Sequence, residues 1–363
     1  MAVPAVIAFF LVSPKLKFEK KFFFAYLFFF FCMFVVTIFS QDIPVSIKRV
    51  WGYLRYSSLL FFPLIFIHDR KQIMQLLWIF CISFLIYDCI IIWDWLQGAA
   101  RAVGPKSDIM ETASLLTTQF AVLLAVSFSK QDLSKEFLIF SRFVLLMSVL
   151  ALLANVTRGA WLACVVTIFV YFIFSLWLYK DKKNFLGILS VIFFCALLYL
   201  FSPTIGEKAI TVTDPDHTLN RERVLLWESS CNMFSDHKLT GLGPGNFGKY
   251  YREHYILPEA KEDKLDDAHN NYFHMLAETG IIGIIAYLYL LFTLLWLSFR
   301  AFYRKRENIM ALACFLMVIA FMVKGLSEFS FGRGSNMRLI WFLVGMFLAM
   351  KNVLSEPMNV KNK

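Results

Sequence analysis

Residues 281–299 read IIGIIAYLYLLFTLLWLSF, nineteen residues in a row without a charged side chain. A helix of about 20 residues crosses a hydrocarbon core of about 30 Å, so this run predicts a membrane span. Nine further apolar runs occur, at 22–39, 51–67, 73–95, 109–128, 137–154, 160–179, 184–202, 309–325 and 337–350. The alternating pattern of a β-barrel, the other fold that satisfies its backbone in lipid, is absent.

The composition agrees with a membrane protein. Of the 363 residues, 59% are hydrophobic and 17% are charged, whereas a soluble domain carries about a quarter charged residues. Residues 1–13 are apolar but short and lack the basic start of a signal peptide, so we expect an abbreviated first span. The chain is predicted to be an all-α polytopic membrane protein with about 10–12 transmembrane helices.

Basic residues predict the orientation, because short loops rich in Lys and Arg stay in the cytoplasm. The loops 14–21, 68–72, 129–136, 180–183 and 300–308 and the tail 351–363 hold 18 basic residues, and the opposite short loops hold 6. This asymmetry predicts that the long polar segment is a large periplasmic loop with short helices. The net charge of +10 then reflects topology and attraction to anionic lipid, and no nucleic-acid partner is expected.

Three regions follow from this topology. Residues 1–202 are expected to form an N-terminal transmembrane bundle of about eight spans. Residues 203–278 are the periplasmic loop, and 279–363 are C-terminal transmembrane helices with a cytoplasmic tail. A bacterial inner membrane fits this arrangement. Six of the seven cysteines fall within spans and Cys231 is alone in the loop, so neither an intraloop disulfide nor a metal site is expected.

Three stretches of the long loop indicate local structure. Residues 218–234, TLNRERVLLWESSCNMF, space their apolar side chains as an amphipathic helix at the membrane surface would. Residues 240–247, TGLGPGNF, contain four Gly or Pro residues and predict a turn. In 263–280, DKLDDAHNNYFHMLAETG, Asp266 or Asp267 is expected to cap a helix that opens near Ala268 and breaks at Gly280.

Two histidines lie on this last predicted helix. His269 would share a face with Phe273, Leu276 and Gly280 and would point toward the bundle. His274 would lie about 140° further round the helix. Only one of the two histidines is therefore expected to face the mouth of the bundle.

Ionisable side chains within spans are costly in lipid and tend to mark function. The candidates are Arg55, Asp88, Asp94, Glu111, Arg142, Lys324 and Arg338. Four of these lie close enough to span ends for the charge to reach water: Asp94, Glu111, Arg142 and Arg338. Lys324 and Glu328, four residues apart, are expected to pair along one helical face. Arg158, with Gly159 beside it, lies at the outer end of the helix predicted at 160–179.

Four motifs together resemble the O-antigen ligase family, a group of bacterial inner-membrane glycosyltransferases in a superfamily that also contains O-antigen polymerases. They are TRGAWLA at 157–163, RERVLLW at 221–227, GLGPGNF at 241–247 and HNNYFHMLAETGIIG at 269–283. The family spacing of His, Asn, nine residues and Gly-x-x-Gly runs here from His269 to Gly283. Ile284 and Ile285 replace the Thr-Gly that often follows. The resemblance covers roughly residues 145–350, and the N-terminal half agrees in topology only.

The resemblance implies transfer of a glycan from undecaprenyl diphosphate to a sugar hydroxyl of lipid A–core in the periplasm. It implies a metal-independent, inverting glycosyltransferase that uses no cofactor, with helices of the periplasmic loop in the active site. The implied catalytic residues are His269, Arg158 and Arg223. The spacing from Arg to Trp favours Arg223, and Arg221 remains a competitor. Substrate-binding roles are implied for Arg221, Asn270, Arg55, Gly243 and Asn246.

These residue types suit that chemistry. There is no ATP outside the membrane, so a reaction there needs an activated donor such as a lipid diphosphate sugar. Guanidinium groups hold phosphate with two parallel donors. An imidazole can orient an acceptor hydroxyl or accept its proton. The expected partners are the undecaprenyl diphosphate-linked glycan donor, the lipid A–core acceptor and membrane lipids.

Other functions stay open. An O-antigen polymerase would use the same donor to extend a lipid-linked glycan, and a protein-directed oligosaccharyltransferase belongs to the same superfamily. The TRGAWLA segment favours a ligase over a polymerase. A small-solute or anion transporter is a different class of protein. It would line a continuous path at mid-membrane with charged residues, whereas the charges here gather at the outer face.

Overall fold

A computed structural model describes residues 19–105, 108–129, 133–179, 218–306 and 308–355. These residues form helices joined by turns, with no β-strand among them. Seven of the helices are long and apolar enough to cross a membrane. The chain is therefore an all-α multi-pass membrane protein, as predicted. The expected spans at 1–13 and 184–202 lie outside the described residues.

The helices follow the apolar runs closely. The seven long ones are α1 (Lys20–Ile38), α4 (Arg70–Leu96), α5 (Ile109–Ser127), α6 (Lys135–Asn155), α7 (Arg158–Tyr179), α10 (Asn271–Arg304) and α12 (Gly334–Ser355). The other helices are α2 (Ile43–Ser57), α3 (Phe61–Phe66), α8 (Thr218–Asp236), α9 (Phe247–Tyr250) and α11 (Ile309–Lys324). Helix α8 confirms the helix predicted at 218–234.

The apolar run 51–67 does not form the single span that its hydropathy predicts. Helix α2 begins before this run and ends at Ser57, and a 3₁₀ turn separates α2 from α3. The hydroxyls of Ser57 and Ser58 donate to the carbonyls of Leu54 and Arg55, at 3.0 and 2.8 Å. Side-chain hydroxyls that bind the preceding turn weaken a continuous helix, which accounts for the interruption.

Helix α11 lies at the centre of the bundle. It packs against α5, α7, α10 and α12, and nearly all of its side chains are buried. Lipid could cover a helix that is apolar on every side, so its burial here reflects its contacts with these four helices. Its 16 residues are therefore enclosed by protein on most sides.

Helix α10 is broken at Gly280, as predicted. The backbone there has φ +57° and ψ −160°. Segment 238–243 fits into the break through four backbone hydrogen bonds: Ile281 to Lys238 (2.9 Å), Ile282 to Leu239 (3.2 Å), Leu242 to Ala277 (3.0 Å) and Gly243 to Glu278 (2.8 Å). Amide and carbonyl groups that the helix leaves unpaired are thus satisfied by the loop.

Replacing Gly280 with alanine should lower the free energy of unfolding by about 1–3 kcal/mol from backbone strain alone. An added Cβ would also lie 2.5 Å from the Leu239 carbonyl carbon and oxygen, so the docked segment would have to move. Thermal unfolding of the purified protein in detergent measures the effect. The control is Gly52→Ala in α2, where the Cβ meets nothing within 4 Å. Equal melting temperatures for the two variants would contradict this account of the break.

The loops at one end of the bundle are tied to one another. The Gln41 N–H donates to the Leu242 carbonyl at 3.0 Å, and the Asn271 N–H donates to the Gly325 carbonyl at 2.7 Å. Arg333 pairs with Asp108 at 3.1 Å. We call this end the loop face. The candidate active site lies on it.

Candidate active site

Arg158 is the first residue of α7 and is held there by a tight turn after α6. The Asn155 side-chain amide donates to the Ala102 carbonyl at 2.8 Å, and the Thr157 hydroxyl donates to Asn155 at 2.6 Å. The Arg101 guanidinium in turn donates to the Thr157 hydroxyl at 3.2 Å. These bonds join the loop before α5 to the start of α7 and bring Arg101 close to Arg158.

Arg223 is positioned by the packing of α8 on α10. One turn beyond it, the Trp227 ring stacks on Phe273 with centroids 5.4 Å apart. The Trp227 indole N–H donates to the Ala268 carbonyl at 3.1 Å. Arg223 is half-buried, whereas Arg221, two residues earlier, is exposed on another side of the helix.

Arg101, Arg158 and Arg223 form one electrostatic unit, which we call the arginine cluster. Burial lowers the pKa of Arg223, and the charges of Arg158 and Arg101 lower it further. Burial, followed by the charge of Arg158, also lowers the pKa of Arg101. Concentrated positive charge in a partly desolvated position favours an anion of two or more charges. The structure thus brings the two predicted catalytic arginines, Arg158 and Arg223, together.

His269 lies just before α10 rather than on it. Its backbone is left-handed, with φ +46°, and its N–H donates to the Asp267 carboxylate at 2.9 Å. The same carboxylate oxygen lies 3.3 Å from the His269 Nδ1, and the side chain is 25% exposed. A carboxylate at this distance restricts the orientation of the imidazole.

The predicted helix start near Ala268, with Asp266 or Asp267 as its cap, is wrong. Asn270 caps α10, and its side-chain oxygen accepts from the N–H groups of Tyr272 and Phe273 at 2.8 and 3.2 Å. Asn caps helices as well as Asp does, and Asp267 is engaged by His269. The expected helical face shared by His269 and Gly280 is therefore also wrong.

Glu328 connects His269 to the arginine cluster. Ligand atoms of Asp267, His269 and Glu328 lie within 4.8 Å of one another, a spacing that a metal ion can use. The sequence predicted no metal site, and Glu328 lies 59 positions after His269 in the chain. The Glu328 charge also partly offsets the mutual repulsion of Arg101 and Arg223.

Two further cations face this buried carboxylate. The Lys324 ammonium lies 4.0 Å from Glu328, and both side chains are buried, so the predicted pair forms. The expected shared helical face is wrong, because α11 ends at Lys324 and Glu328 lies in the turn beyond it. Arg333 binds the other Glu328 oxygen at 2.7 Å. Burial lowers the pKa of Arg333, but the charges of Glu328 and Asp267 outweigh it and raise the pKa overall. Protein cations thus already neutralise the carboxylates of this group.

His274 is completely buried and supports the His269 turn from beneath. Its ring stacks on Phe329 with centroids 3.5 Å apart, and Nδ1 accepts the Ala268 N–H at 3.3 Å. Its Nε2 lies 3.2 Å from a Glu278 carboxylate oxygen. The other Glu278 oxygen accepts the Phe247 N–H at 3.1 Å. This pair joins the His269 turn to the GLGPGNF loop.

The predicted substrate-binding residues are dispersed around this site. Asn270 is nearly buried, and its amide donates to the Leu326 carbonyl at 2.9 Å. The Asn246 amide donates to the hydroxyls of Ser40 and Ser46, at 2.9 and 3.2 Å. A Cβ at Gly243 would lie 1.9 Å from the Ser40 hydroxyl. Asn246 and Gly243 therefore hold the GLGPGNF loop against the α1–α2 junction, and Arg55 is exposed on α2.

The ionisable residues near span ends have local polar partners. Asp94 accepts the Val103 N–H at 2.9 Å, Glu111 accepts the Ser335 N–H at 2.7 Å, and Arg142 donates to the Ser127 carbonyl at 3.1 Å. Arg338 lies over the Tyr56 ring. Asp88 differs because it is fully buried among spans. Gln119 and Ser148 each donate to it at 2.6 Å, which satisfies the carboxylate within the bundle.

Several residues of the site had no sequence signal of their own. In the sequence, Arg101 and Arg333 were used only as basic loop residues that help to predict the orientation of the chain. Arg101 lies 57 positions before Arg158 and Arg333 lies 64 positions after His269, and only tertiary contacts bring each pair together. For Asp267 a signal did exist, since it stands two residues before His269, but its role as a helix cap was the competing interpretation.

Comparisons with known proteins agree with the motifs. A family model described as O-antigen ligase matches residues 143–288. The teichuronic acid biosynthesis protein TuaE of Bacillus subtilis (strain 168) is 28% identical over 138 residues, which are 37% of this chain and 27% of that protein. The chain thus spans only about a quarter of that relative's length. An uncharacterised protein of Haemophilus influenzae is 22% identical over 305 residues, 78% of this chain and 74% of that protein. Residues 143–288 therefore match the O-antigen ligase family, as the four motifs predicted, and this match indicates a glycan-processing membrane enzyme.

Proposed function

We propose that this protein is an O-antigen ligase, which transfers a glycan from undecaprenyl diphosphate to lipid A–core at the periplasmic face of the inner membrane. One observation carries the proposal. The arginine cluster and the Asp267–His269 pair lie on the same face and share the buried carboxylate of Glu328. A group that binds diphosphate thus stands beside a group that can accept a proton.

The donor would be held by its diphosphate. Arg158 and Arg223 donate to the phosphate oxygens, and Arg101 adds positive charge from the neighbouring loop. When the bond between C1 of the glycan and the diphosphate oxygen breaks, negative charge grows on that oxygen. Guanidinium groups fixed before the reaction stabilise this charge without reorganising. Undecaprenyl diphosphate then leaves as a stabilised anion.

The acceptor would be activated by His269. A hydroxyl oxygen of lipid A–core attacks C1 from the side opposite the diphosphate, which inverts the anomeric centre. His269 accepts the hydroxyl proton, Asp267 stabilises the imidazolium, and the proton returns to solvent. The arginine cluster supplies the positive charge that this departure requires, so the proposed reaction is metal-independent.

An O-antigen polymerase is the second candidate, and a specific similarity favours it. TuaE is named for teichuronic acid biosynthesis, and 138 residues of this chain align with it. A polymerase would use the same donor site. It would differ in the acceptor, which would be another lipid-linked glycan.

Deletion of the gene, followed by separation of lipopolysaccharide by size, tests the proposal. Loss of every long chain from lipid A–core, with glycan accumulating on the carrier lipid, is the outcome expected for a ligase. Core with a single repeat unit indicates a polymerase. Unchanged lipopolysaccharide would exclude both. A His269→Ala allele that restored the long chains would remove His269 from the reaction.

A further inference from the structure

A second cationic site lies on the loop face, along helix α2. A cavity of about 450 Å³ opens there between α2 and the GLGPGNF loop. Its lining includes Lys48, Arg49, Trp51, Arg55, Tyr56 and Gly245. We call it the α2 cleft. None of the arginine cluster residues lines it, so it is distinct from the proposed diphosphate site.

The α2 cleft carries two exposed cations, Lys48 and Arg55, whose charge no ion pair neutralises among the described residues. No ion pair joins Arg49 to an acidic residue in that part of the chain either. The guanidinium carbons of Arg55 and Arg338 each lie 5.4 Å from the centroid of the Tyr56 ring. Unneutralised cations that converge on a concave surface attract an anion of several charges.

The position of α2 indicates that this anion belongs to a lipid. The helix exposes the apolar side chains of Ile47, Trp51 and Leu54 alongside the two exposed cations. Apolar and basic residues on one exposed helix, with a tryptophan among them, are typical of the membrane interface. A helix of this composition places its basic residues among lipid headgroups, and the α2 cleft lies beside these residues.

The α2 cleft also adjoins the candidate active site. Arg49 is half-buried at its inner end, where Tyr53 and the charges of Glu278 and Asp267 raise the pKa of Arg49. A Cβ at Gly245 would lie 3.2 Å from the Arg49 Cβ, so the GLGPGNF loop forms the opposite wall. Asp267 contacts both His269 and Arg333. Its negative charge also acts on Arg49, so it connects the α2 cleft to the candidate active site.

We propose that the α2 cleft binds the phosphorylated headgroup of the acceptor glycolipid. The inference rests on the proposed transfer reaction, because only a transferase with two lipid substrates needs two such sites. The diphosphate of the donor needs one cationic site, and the arginine cluster is that site. The α2 cleft is then left for phosphate groups on the second lipid, whose sugar hydroxyl must reach His269.

The experiment pairs a change in the protein with a change in the acceptor. The variant is Lys48→Gln with Arg55→Gln. The acceptors are lipid A–core with its phosphates and the same glycolipid after phosphatase treatment. In proteoliposomes with saturating donor, the wild type should show a KM about tenfold lower for the phosphorylated acceptor. The variant should lose this preference, with the KM for the donor unchanged.

A matched control removes the same two charges elsewhere on the loop face. Lys249→Gln with Arg252→Gln replaces exposed cations that pair with Asp42 and Asp266, and this variant should keep the preference. If the wild type shows no preference, or if the cleft variant keeps it, the proposal is wrong. If the cleft variant instead loses affinity for phosphatidylglycerol with either acceptor, the ligand is bulk lipid, which also overturns the proposal.

A binding measurement separates this inference from the proposed function. Native mass spectrometry of the intact protein in detergent counts bound lipid without any transfer. Phosphorylated lipid A–core should bind the wild type about tenfold more tightly than the cleft variant, and the dephosphorylated form should not distinguish them. If binding follows this pattern while no glycan is transferred, the proposed reaction is wrong, but the assignment of the α2 cleft as a site for the phosphorylated glycolipid stands. Equal binding by both proteins would refute the cleft assignment.

Discussion

Replacing Arg223 with glutamine is expected to lower the rate of glycan transfer about a hundred- to a thousand-fold. Arg223 is half-buried in the arginine cluster, where burial and two neighbouring guanidinium groups act on it. Such a cation is held in place before the reaction, so its charge stabilises the leaving diphosphate most strongly when the bond breaks. Glutamine keeps much of the length of the side chain and two hydrogen-bond donors but removes the charge. The kcat in reconstituted proteoliposomes measures the effect.

Arg221→Gln is the matched control for this prediction. The same charge is removed two residues earlier on the same helix, where the side chain is exposed. Its kcat should stay within about threefold of the wild type, because charges screened by solvent contribute little. If Arg221→Gln reduced kcat more than Arg223→Gln, the diphosphate site would have to be moved to the other side of α8.

The second large effect is on stability. Glu328→Gln should lower the free energy of unfolding by about 3–5 kcal/mol, since removing one member of a buried ion pair leaves the other charge uncompensated. Glu328 is completely buried and lies against Lys324, itself 2% exposed, and against Arg333. No other carboxylate contacts Lys324 within the described residues. Chemical denaturation in detergent, with urea as the denaturant, measures the loss.

Asp266→Asn provides the comparison for Glu328. Asp266 pairs with Arg252 at 2.9 Å, a closer contact than that between Glu328 and Lys324, but its side chain is 82% exposed. A surface pair of this kind contributes at most about 1 kcal/mol. Equal destabilisation by the two substitutions would show that burial does not control the energetics of this group.

The spans could be predicted because lipid imposes one rule on every residue within it. Apolar runs such as 281–299 therefore coincide with helices of the structure. Among the runs that the structure describes, 51–67 is the exception. The mean hydropathy of this run is high despite the two serines at its middle. Hydropathy does not indicate whether a serine hydroxyl interrupts a helix. Gly280 was predictable as a break because only glycine adopts its backbone conformation readily.

The candidate site was predictable only in part. Arg158, Arg223 and His269 could be named from motif spacing, and Arg223 could be preferred over Arg221. The partners of these residues could not be named, because Arg101, Glu328 and Arg333 come from loops far away in the chain. The cap of α10 was mispredicted for a local reason. Asp267 and Asn270 are both good capping residues, and only the contact between Asp267 and His269 decides between them.

The docking of 238–243 into the Gly280 break has a practical consequence for engineering this protein. This segment overlaps the Gly- and Pro-rich stretch 241–247, and such stretches normally invite insertion of an epitope tag or a protease site because most are flexible surface turns. Here the segment 238–243 bridges the break in α10 through four backbone hydrogen bonds, and an insertion there would disrupt these bonds. Pro258 and Glu259, exposed at the tip of the loop, offer the safer position for a label.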